Sequence, residues 1–262
     1  MLMEVKNHIK ISFLSVKYAL QREMLNKASF ISNIVFMILN NSAFIIQWLI
    51  IYSIKDDIGG YTFKDIMLLW GMAALTYGIS RFFFRDAFEL SDMINKGKID
   101  NYLIQPKNVL ISCITSSIEV SAIGDMIYAY IIILIIAPEK ILFYTLLGIL
   151  GGLTTASIAV IIGSMAFRFG KSENFANTVN SIMTNFATYP GGIFKGIIRI
   201  LFYTIIPLEI TSYIPVELLT EFDIFKLLYI FIGTVIFIAI AFITFNKGLK
   251  RYSSTNLMNA RI

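Results

Sequence analysis

The sequence is short of the residues from which most catalytic and metal sites are built. Its 262 residues contain one cysteine, Cys113, and one histidine, His8. A single cysteine excludes an intramolecular disulfide framework, and the two residues cannot complete a zinc site. A base and nucleophile are hard to pair around one histidine, and neither Gly-x-x-x-x-Gly-Lys-Ser/Thr nor His-Glu-x-x-His occurs. We therefore predict that this chain has no enzymatic activity, no bound metal and no nucleotide site.

Charge is the second shortage. Charged residues make up 15% of the chain and apolar residues 57%, whereas soluble domains carry about 25% charge. The 22 lysines and arginines are dispersed around the apolar runs, which argues against nucleic-acid binding. Apolar runs of about 20 residues match the hydrocarbon core of a bilayer, which only helices and closed barrels can cross. Because the alternation typical of barrel strands is missing, the sequence predicts an all-α membrane protein.

Six stretches are predicted to cross the membrane as helices. They cover residues 28–52, 66–84, 109–137, 141–167, 175–190 and 227–245. The fourth carries several glycines, which suit close packing of helices in a bilayer. Residues 191–219 are apolar but are interrupted by Pro207 and Pro215, so we expect short re-entrant helices in the outer leaflet. Residues 246–262 form a basic tail.

Residues 1–27 are too polar to cross a bilayer. Their apolar residues recur every three or four positions and form one helical stripe, while most of the lysines lie off it. This pattern predicts an amphipathic helix that lies on the cytoplasmic surface of the membrane, in contact with lipid. The alternative is a helix that packs only on the protein itself.

The distribution of positive charge predicts the orientation. Sixteen of the 22 lysines and arginines lie on the side that holds the N-terminus, and six lie on the other side. Cytoplasmic loops collect lysine and arginine. We therefore expect a multi-pass protein of the inner or plasma membrane with both termini in the cytoplasm.

Two acidic residues fall within the third predicted span. Glu119 and Asp125 are six residues apart, which places them about 240° apart on a helix, so we do not expect a carboxylate pair. Ionisable groups within a membrane are costly and are often functional. Asp125 therefore has two interpretations: part of a proton or substrate path, or a structural residue that is hydrogen-bonded or protonated.

The fifth predicted span carries a polar stripe at helical spacing. Its members are Asn174, Asn177, Ser181, Asn185 and Thr188. Such a stripe has to face protein or water, because lipid offers no hydrogen-bond partners. Contact between helices and the lining of a substrate path remain as alternatives, and both roles can coexist at a subunit interface.

Residues 85–108 form the longest charged segment, on the predicted cytoplasmic side. The pattern predicts a short amphipathic helix over residues 84–96, which Gly97 ends. A helix of mixed charge in this place suits docking to a soluble partner, with Phe88 and Ile94 as apolar anchors. The alternative is an ordinary solvated loop. The candidate docking residues are Asp86, Phe88, Glu89, Asp92, Ile94 and Lys96.

The whole arrangement resembles the type-2 ATP-binding-cassette exporter permeases of bacteria. Similar features are the amphipathic helix, the six spans, the docking helix after the second span and the broken segment before the sixth. Short motifs are similar as well: Gly97-Lys-Ile-Asp100-Asn-Tyr-Leu103-Ile-Gln-Pro106, Tyr189-Pro190, Ile206-Pro207 and Tyr213-Ile-Pro215. The resemblance implies a permease that pairs with a second permease and with two copies of a separate ATPase, which would bind the ATP and magnesium.

The resemblance also implies roles for the candidate residues. Residues 86–96 would sit in a groove of the ATPase. The exported compound would be amphipathic or hydrophobic, such as a drug, a toxin or a lipid. The alternatives are a secondary transporter driven by an ion gradient, with Asp125 as the carrier, and a membrane scaffold without transport. The substrate path or permease dimer interface would contain Asn40, Asn41, Asn177, Ser181, Asn185 and Thr188.

Overall fold

The computed structural model describes residues 14–170, 172–197 and 207–253. This part of the chain is mostly helical, with one β-bridge between Ile58 and Tyr61, so the predicted all-helical class is confirmed there. The helices are α1 (Lys27–Tyr52), α2 (Phe63–Phe88), α3 (Leu90–Asn95), α4 (Asp100–Leu103), α5 (Val109–Ile114), α6 (Ser121–Ile136), α7 (Ile141–Gly163), α8 (Ala166–Phe169), α9 (Glu173–Phe186), α10 (Ile214–Thr220) and α11 (Ile224–Leu249).

Four helical stretches in the described ranges are long and apolar enough to cross a membrane. They are Lys27–Tyr52, Phe63–Asn95, Pro138–Phe169 and Ile224–Leu249. Helix α6 is apolar as well, but it has only 16 residues. These helices indicate a multi-pass membrane protein, and the count of six crossings remains a prediction.

Helices α2 and α7 form the centre of the bundle. Most of their side chains are buried, whereas α1 and α11 expose most of their apolar surface. Helix α6 packs against both α1 and α2, and α11 packs against α7. The core of the bundle therefore lies along α2 and α7, and α1 and α11 lie at its periphery.

The glycines of α7 allow this central packing. A Cβ atom at Gly151 would lie 2.6 Å from Oγ1 of Thr76, and one at Gly152 would lie 2.8 Å from Cγ2 of Ile79. Both distances are shorter than real side chains tolerate, so α7 can approach α2 this closely only because these residues lack a side chain. The close helix packing that the glycines of the fourth predicted span indicated is confirmed.

The third predicted span, residues 109–137, is wrong as a single helix. The structure divides it into α5 and α6, with an irregular stretch between them. The hydroxyls of Ser116 and Ser117 in this stretch donate to the two carboxylate oxygens of Asp86 at 2.5 and 2.7 Å. These side-chain hydrogen bonds tie the irregular stretch to α2.

The fifth predicted span, residues 175–190, is also shorter as a helix than the prediction. Helix α9 has 14 residues, which give a rise of about 21 Å against about 30 Å of hydrocarbon. Short helical pieces follow in place of a long helix: a 3-10 turn at Gly191–Ile193, a π-helical turn at Glu209–Tyr213, and α10. Residues 198–206 lie outside the described residues, and the re-entrant position of 191–219 stays a prediction.

The two ends of the chain are described in part. Residues 14–23 are helical, and Ala19 among them is buried. The position of this helix on the membrane surface stays a prediction, as does the cytoplasmic tail. Residues 1–13 and 254–262 lie outside the described residues.

Candidate functional site

A cavity of about 830 Å³ opens between α1, α2, α6 and α9. Most of the exposed area of its wall is apolar, because α1, α2 and α9 turn aromatic side chains toward the gap. Nine polar or charged side chains interrupt this wall. They are Asn40, Asn41, Gln47, Arg81, Glu119, Asp125, Thr184, Asn185 and Thr188.

Asn41 of α1 joins three helices at this cavity. Its Nδ2 donates to Oδ1 of Asp125 on α6 at 2.7 Å, and its Oδ1 accepts a hydrogen bond from Nε1 of Trp70 on α2 at 3.0 Å. Polar bonds of this kind hold helices together where lipid supplies no hydrophobic drive. The hydrogen bond fits the structural interpretation of Asp125, and its place in the cavity wall fits the path interpretation.

An ion pair lies at the end of the cavity nearer to α3. Nη1 of Arg81 is 2.8 Å from Oε2 of Glu119, and the hydroxyl of Ser121 donates to the other oxygen of Glu119 at 3.0 Å. The guanidinium of Arg81 also lies 4.6 Å from the ring centroid of Phe88. Arg81 thus touches both the cavity and the first part of the predicted docking segment.

Aromatic rings cover much of the remaining wall. Phe44 stacks on Trp70 with ring centroids 4.8 Å apart, and Trp48 meets the edge of Tyr189 at 5.8 Å. The hydroxyl of Tyr77 is buried and makes no hydrogen bond of normal geometry with the part of the chain that the structure describes. Both tryptophans of the chain therefore line one cavity.

The structure brings six of the predicted site residues to this cavity: Asn40, Asn41, Glu119, Asp125, Asn185 and Thr188. Asn177 and Ser181 do not line it, and both are exposed on the outer face of α9. The sequence reasoning missed Trp48, Trp70 and Arg81. The available signal was that both tryptophans of the chain fall in the first two predicted spans.

Helix α9 has one polar and one buried face. Asn177, Thr178 and Ser181 are exposed, whereas Ala176 and Met183 pack inward. The polar stripe of the fifth predicted span thus points away from this chain along most of its length and reaches the cavity only at its C-terminal end.

The predicted docking segment does not form one separate helix in the structure. Helix α2 continues past a kink at Phe84 (φ −133°, ψ 37°) to residue 88, and α3 follows as a separate short helix. Phe88 and Ile94 are only 6% and 5% exposed, in a cluster with Leu90 and Met93. This burial contradicts the prediction that both side chains anchor in an ATPase, because they already fill the interior of this chain.

The acidic residues of this segment are also engaged within the chain. Asp86 accepts the two serine hydroxyls described above, and Asp92 is buried between Lys96 at 2.6 Å and Lys98 at 3.3 Å. The hydrogen bond to Asp92 raises the pKa of the Lys96 ammonium. Lys96 and Glu89 are exposed, so these two of the six predicted docking residues present an open charged surface.

A second cavity of about 410 Å³ lies between the helical residues 14–23 and α4 and α5. Tyr102, in its wall, donates a hydrogen bond to Ser116 at 2.8 Å, and Ser116 in turn bonds Asp86. Beside it, Leu103 and Ile104 are 42% and 86% exposed. The free apolar surface of the segment therefore lies after Gly97 and not at α3.

The chain was compared with curated proteins, solved structures and family models. No curated protein and no solved structure matches the chain. The model of the ABC-2 family transporter protein matches residues 22–256, which include the cavity and the whole of the predicted docking segment. The match agrees with the resemblance drawn from the order of spans and from the short motifs, and it covers nearly the full length. The chain belongs to the ABC-2 family of transporter proteins.

Proposed function

We propose that the chain is the permease subunit of an exporter that moves an amphipathic or hydrophobic compound out of the cytoplasm. Permeases of the ABC-2 family are the membrane components of transporters and normally work with an ATP-binding-cassette ATPase. The observation that carries the proposal is the cavity of about 830 Å³ among α1, α2, α6 and α9. Aromatic walls with a few fixed polar groups are typical of sites for small molecules.

In this proposal the chemistry of ATP takes place on the partner. Two copies of the ATPase would bind ATP and magnesium, and a second permease, identical or homologous, would complete the complex. The docking surface would consist of exposed residues from the segment between α2 and α5. They are Glu89, Lys96, Lys98, Leu103 and Ile104.

The experiment that tests the proposal changes the most exposed apolar residue of that surface. Interface energy is concentrated in a few anchors, so Ile104→Asp should cost a few kcal/mol of binding to the ATPase. The chain should still fold, because Ile104 is 86% exposed. After co-expression, the unmodified chain should retain the ATPase during purification, and the variant should lose both the ATPase and export.

A matched control exists at the other end of the bundle. Ile54 is 85% exposed in the turn between α1 and α2. Ile54→Asp makes the same chemical change and should leave ATPase association intact. If Ile104→Asp co-purifies with the ATPase as well as Ile54→Asp does, the docking surface is wrong.

The orientation belongs to the same proposal. The distribution of lysine and arginine supports cytoplasmic termini in the cell membrane, which places the exposed turn at Glu139 outside. In a Cys113→Ala background, Glu139→Cys should react with an impermeant reagent added to intact cells, and a cysteine at position 259 should not. Labelling of position 139 only from the inside would overturn the orientation.

A second candidate function has one observation in its favour. Asp125 is hydrogen-bonded within a cavity wall, as a proton carrier in a secondary transporter would be. The two candidates differ in one result. Transport in a secondary transporter should survive Ile104→Asp, whereas export by the proposed complex should be abolished.

A further inference from the structure

We propose that the cavity among α1, α2, α6 and α9 selects cationic amphipathic ligands. The carboxyl group of Asp125 would face the positive charge, and the aromatic wall would hold the apolar body. This inference rests on the proposed function and names the substrate class of the same site. Its basis is that Asp125, the Arg81–Glu119 ion pair and six aromatic side chains line a single cavity.

The charged side chains of the cavity wall do not balance one another. Among the described residues that line the cavity, the charged side chains are Arg81, Glu119 and Asp125. The first two neutralise each other at 2.8 Å. Asp125 receives only the amide of Asn41 on Oδ1, and its Oδ2 makes no hydrogen bond with the described residues. One carboxyl group therefore remains in the wall without a positive partner.

A carboxyl group without a positive partner in this wall can bind a cation. An isolated carboxylate away from water is unfavourable, and a cationic ligand would supply the partner that the chain does not. Attraction between charges is stronger there than in water. An anionic ligand gains nothing from the protonated form of Asp125 and is repelled by the ionised form, and the one cation among the described residues of the wall, Arg81, is already paired with Glu119. The charge arrangement thus favours one sign of ligand.

The aromatic part of the wall can cover the apolar body of the ligand. Trp70 bonds the same Asn41 that bonds Asp125, and Phe44 stacks on Trp70. An aromatic surface therefore begins two hydrogen bonds away from the carboxyl group. Faces of tryptophan and tyrosine attract organic cations through the ring quadrupole and also cover apolar groups. A volume of about 830 Å³ lies within the range of about 300–1,000 Å³ for small-molecule sites.

The test uses two ions of nearly equal shape and opposite charge, tetraphenylphosphonium and tetraphenylborate. Both tryptophans of the chain, Trp48 and Trp70, line the cavity, so intrinsic fluorescence reports its occupation. The full chain, purified in detergent without the ATPase, is titrated with each ion. We expect a saturable change with the phosphonium and no saturable change with the borate. A saturable response to the borate of equal affinity would overturn the proposal, and so would the absence of a saturable response to the phosphonium.

A pair of isosteric variants separates binding from partition into micelles. Asp125→Asn keeps the size and a hydrogen-bonding group next to Asn41, and it should weaken phosphonium binding roughly tenfold or more. Asp56→Asn makes the same change in the exposed turn after α1 and should leave the affinity unchanged. Equal affinity of the two variants would contradict the role of Asp125. The comparison of the two ions on the unmodified chain needs no variant, so misfolding of Asp125→Asn would not rescue the proposal.

The result is independent of the test of the proposed function. Fluorescence titration needs neither the ATPase nor transport, whereas Ile104→Asp tests ATPase docking and leaves the cavity unchanged. Loss of docking with intact phosphonium binding would refute the docking surface alone. Intact docking without charge-selective binding would refute the cationic ligand alone, as expected if lipid or a second permease fills the cavity.

Discussion

The outer faces of α9 and α11 are both exposed in the single chain, and their chemistry is opposite. Helix α11 presents Phe225, Leu228, Phe231, Ile232, Val235 and Ile236. Helix α9 presents Asn174, Asn177, Thr178 and Ser181, with the exposed Phe175 beside them. The first face suits hydrocarbon. The second carries the side-chain amides of asparagine, which hydrocarbon cannot hydrogen-bond, so it requires protein or water.

The polar surface of α9 continues onto α1. Asn40 and Gln47 lie one above the other on α1, seven residues apart, and both line the cavity together with Asn185 and Thr188 of the α9 end. The rest of α1 resembles α11 in its exposed apolar residues. The polar side of the molecule is therefore the side of α9 and of one edge of α1, which is where the second permease and the substrate path of the proposed complex would lie.

The largest expected effect comes from a charge placed on each face. Ile236→Lys puts a charge at the centre of α11, which should cost about 2.5–3.5 kcal/mol of membrane insertion. Ser181→Lys makes the same addition on the polar face of α9 and should be tolerated far better. Membrane levels of the two variants, measured by fluorescence of a C-terminal fusion, compare the costs. Equal loss for both variants would mean that α9 faces lipid as α11 does.

A third kind of helix surface is the buried one of α7, which faces neither lipid nor water. Gly152→Val would bring Cβ within 2.8 Å of Ile79, and overpacking of this kind costs about 1–3 kcal/mol. Leu146→Val, at a half-exposed position of the same helix, should cost far less. Reaction of the buried Cys113 with a thiol-reactive dye during heating reports unfolding. A melting temperature that is unchanged for Gly152→Val would contradict the packing of α7 on α2.

These faces show what the sequence could and could not predict. The sequence predicted the polar stripe of α9, because its polar residues recur at helical spacing, and it predicted α11 from a long apolar run. The break between α5 and α6 was not predicted, since the irregular stretch between them bonds Asp86, a residue about 30 positions away. Amphipathic spacing around Phe88 indicated an apolar face correctly, but spacing cannot tell a face covered by the same chain from one that awaits a partner.

For the same reason, the sequence predicted single residues of the candidate site but not the contacts between them. Asn41 and Asp125 were each singled out by polarity within an apolar run, but the hydrogen bond between them spans 84 residues. Nothing in the local pattern of either residue indicates the other. Contacts between distant segments require the packed structure.

A smaller effect is expected at the ion pair that borders the polar side. Arg81→Gln removes the ion pair with Glu119. Because the side chains of Arg81 and Glu119 are 33% and 28% exposed, solvent screens their attraction, and the free energy of unfolding should fall by about 1 kcal/mol. Arg22→Gln breaks a pair that is more open, at 3.6 Å, and should change little. The same thiol assay at low and high salt measures both. Equal destabilisation by the two substitutions would mean that the pair beside the cavity has no special environment.

The smallest expected effect on stability comes from cysteine scanning, which compares the two outer faces most directly. Ser181→Cys is nearly isosteric on α9, and Ile236→Cys is a modest change on α11, so both chains should fold normally. A thiol in contact with water ionises and reacts with a charged, impermeant methanethiosulfonate, whereas a thiol in hydrocarbon does not. Cys113 is buried and contributes little background. We therefore expect labelling at position 181 and none at position 236. Protection of both positions in the assembled transporter, with labelling of position 181 in the isolated chain, would assign the polar face of α9 to contact with the second permease instead of an open path.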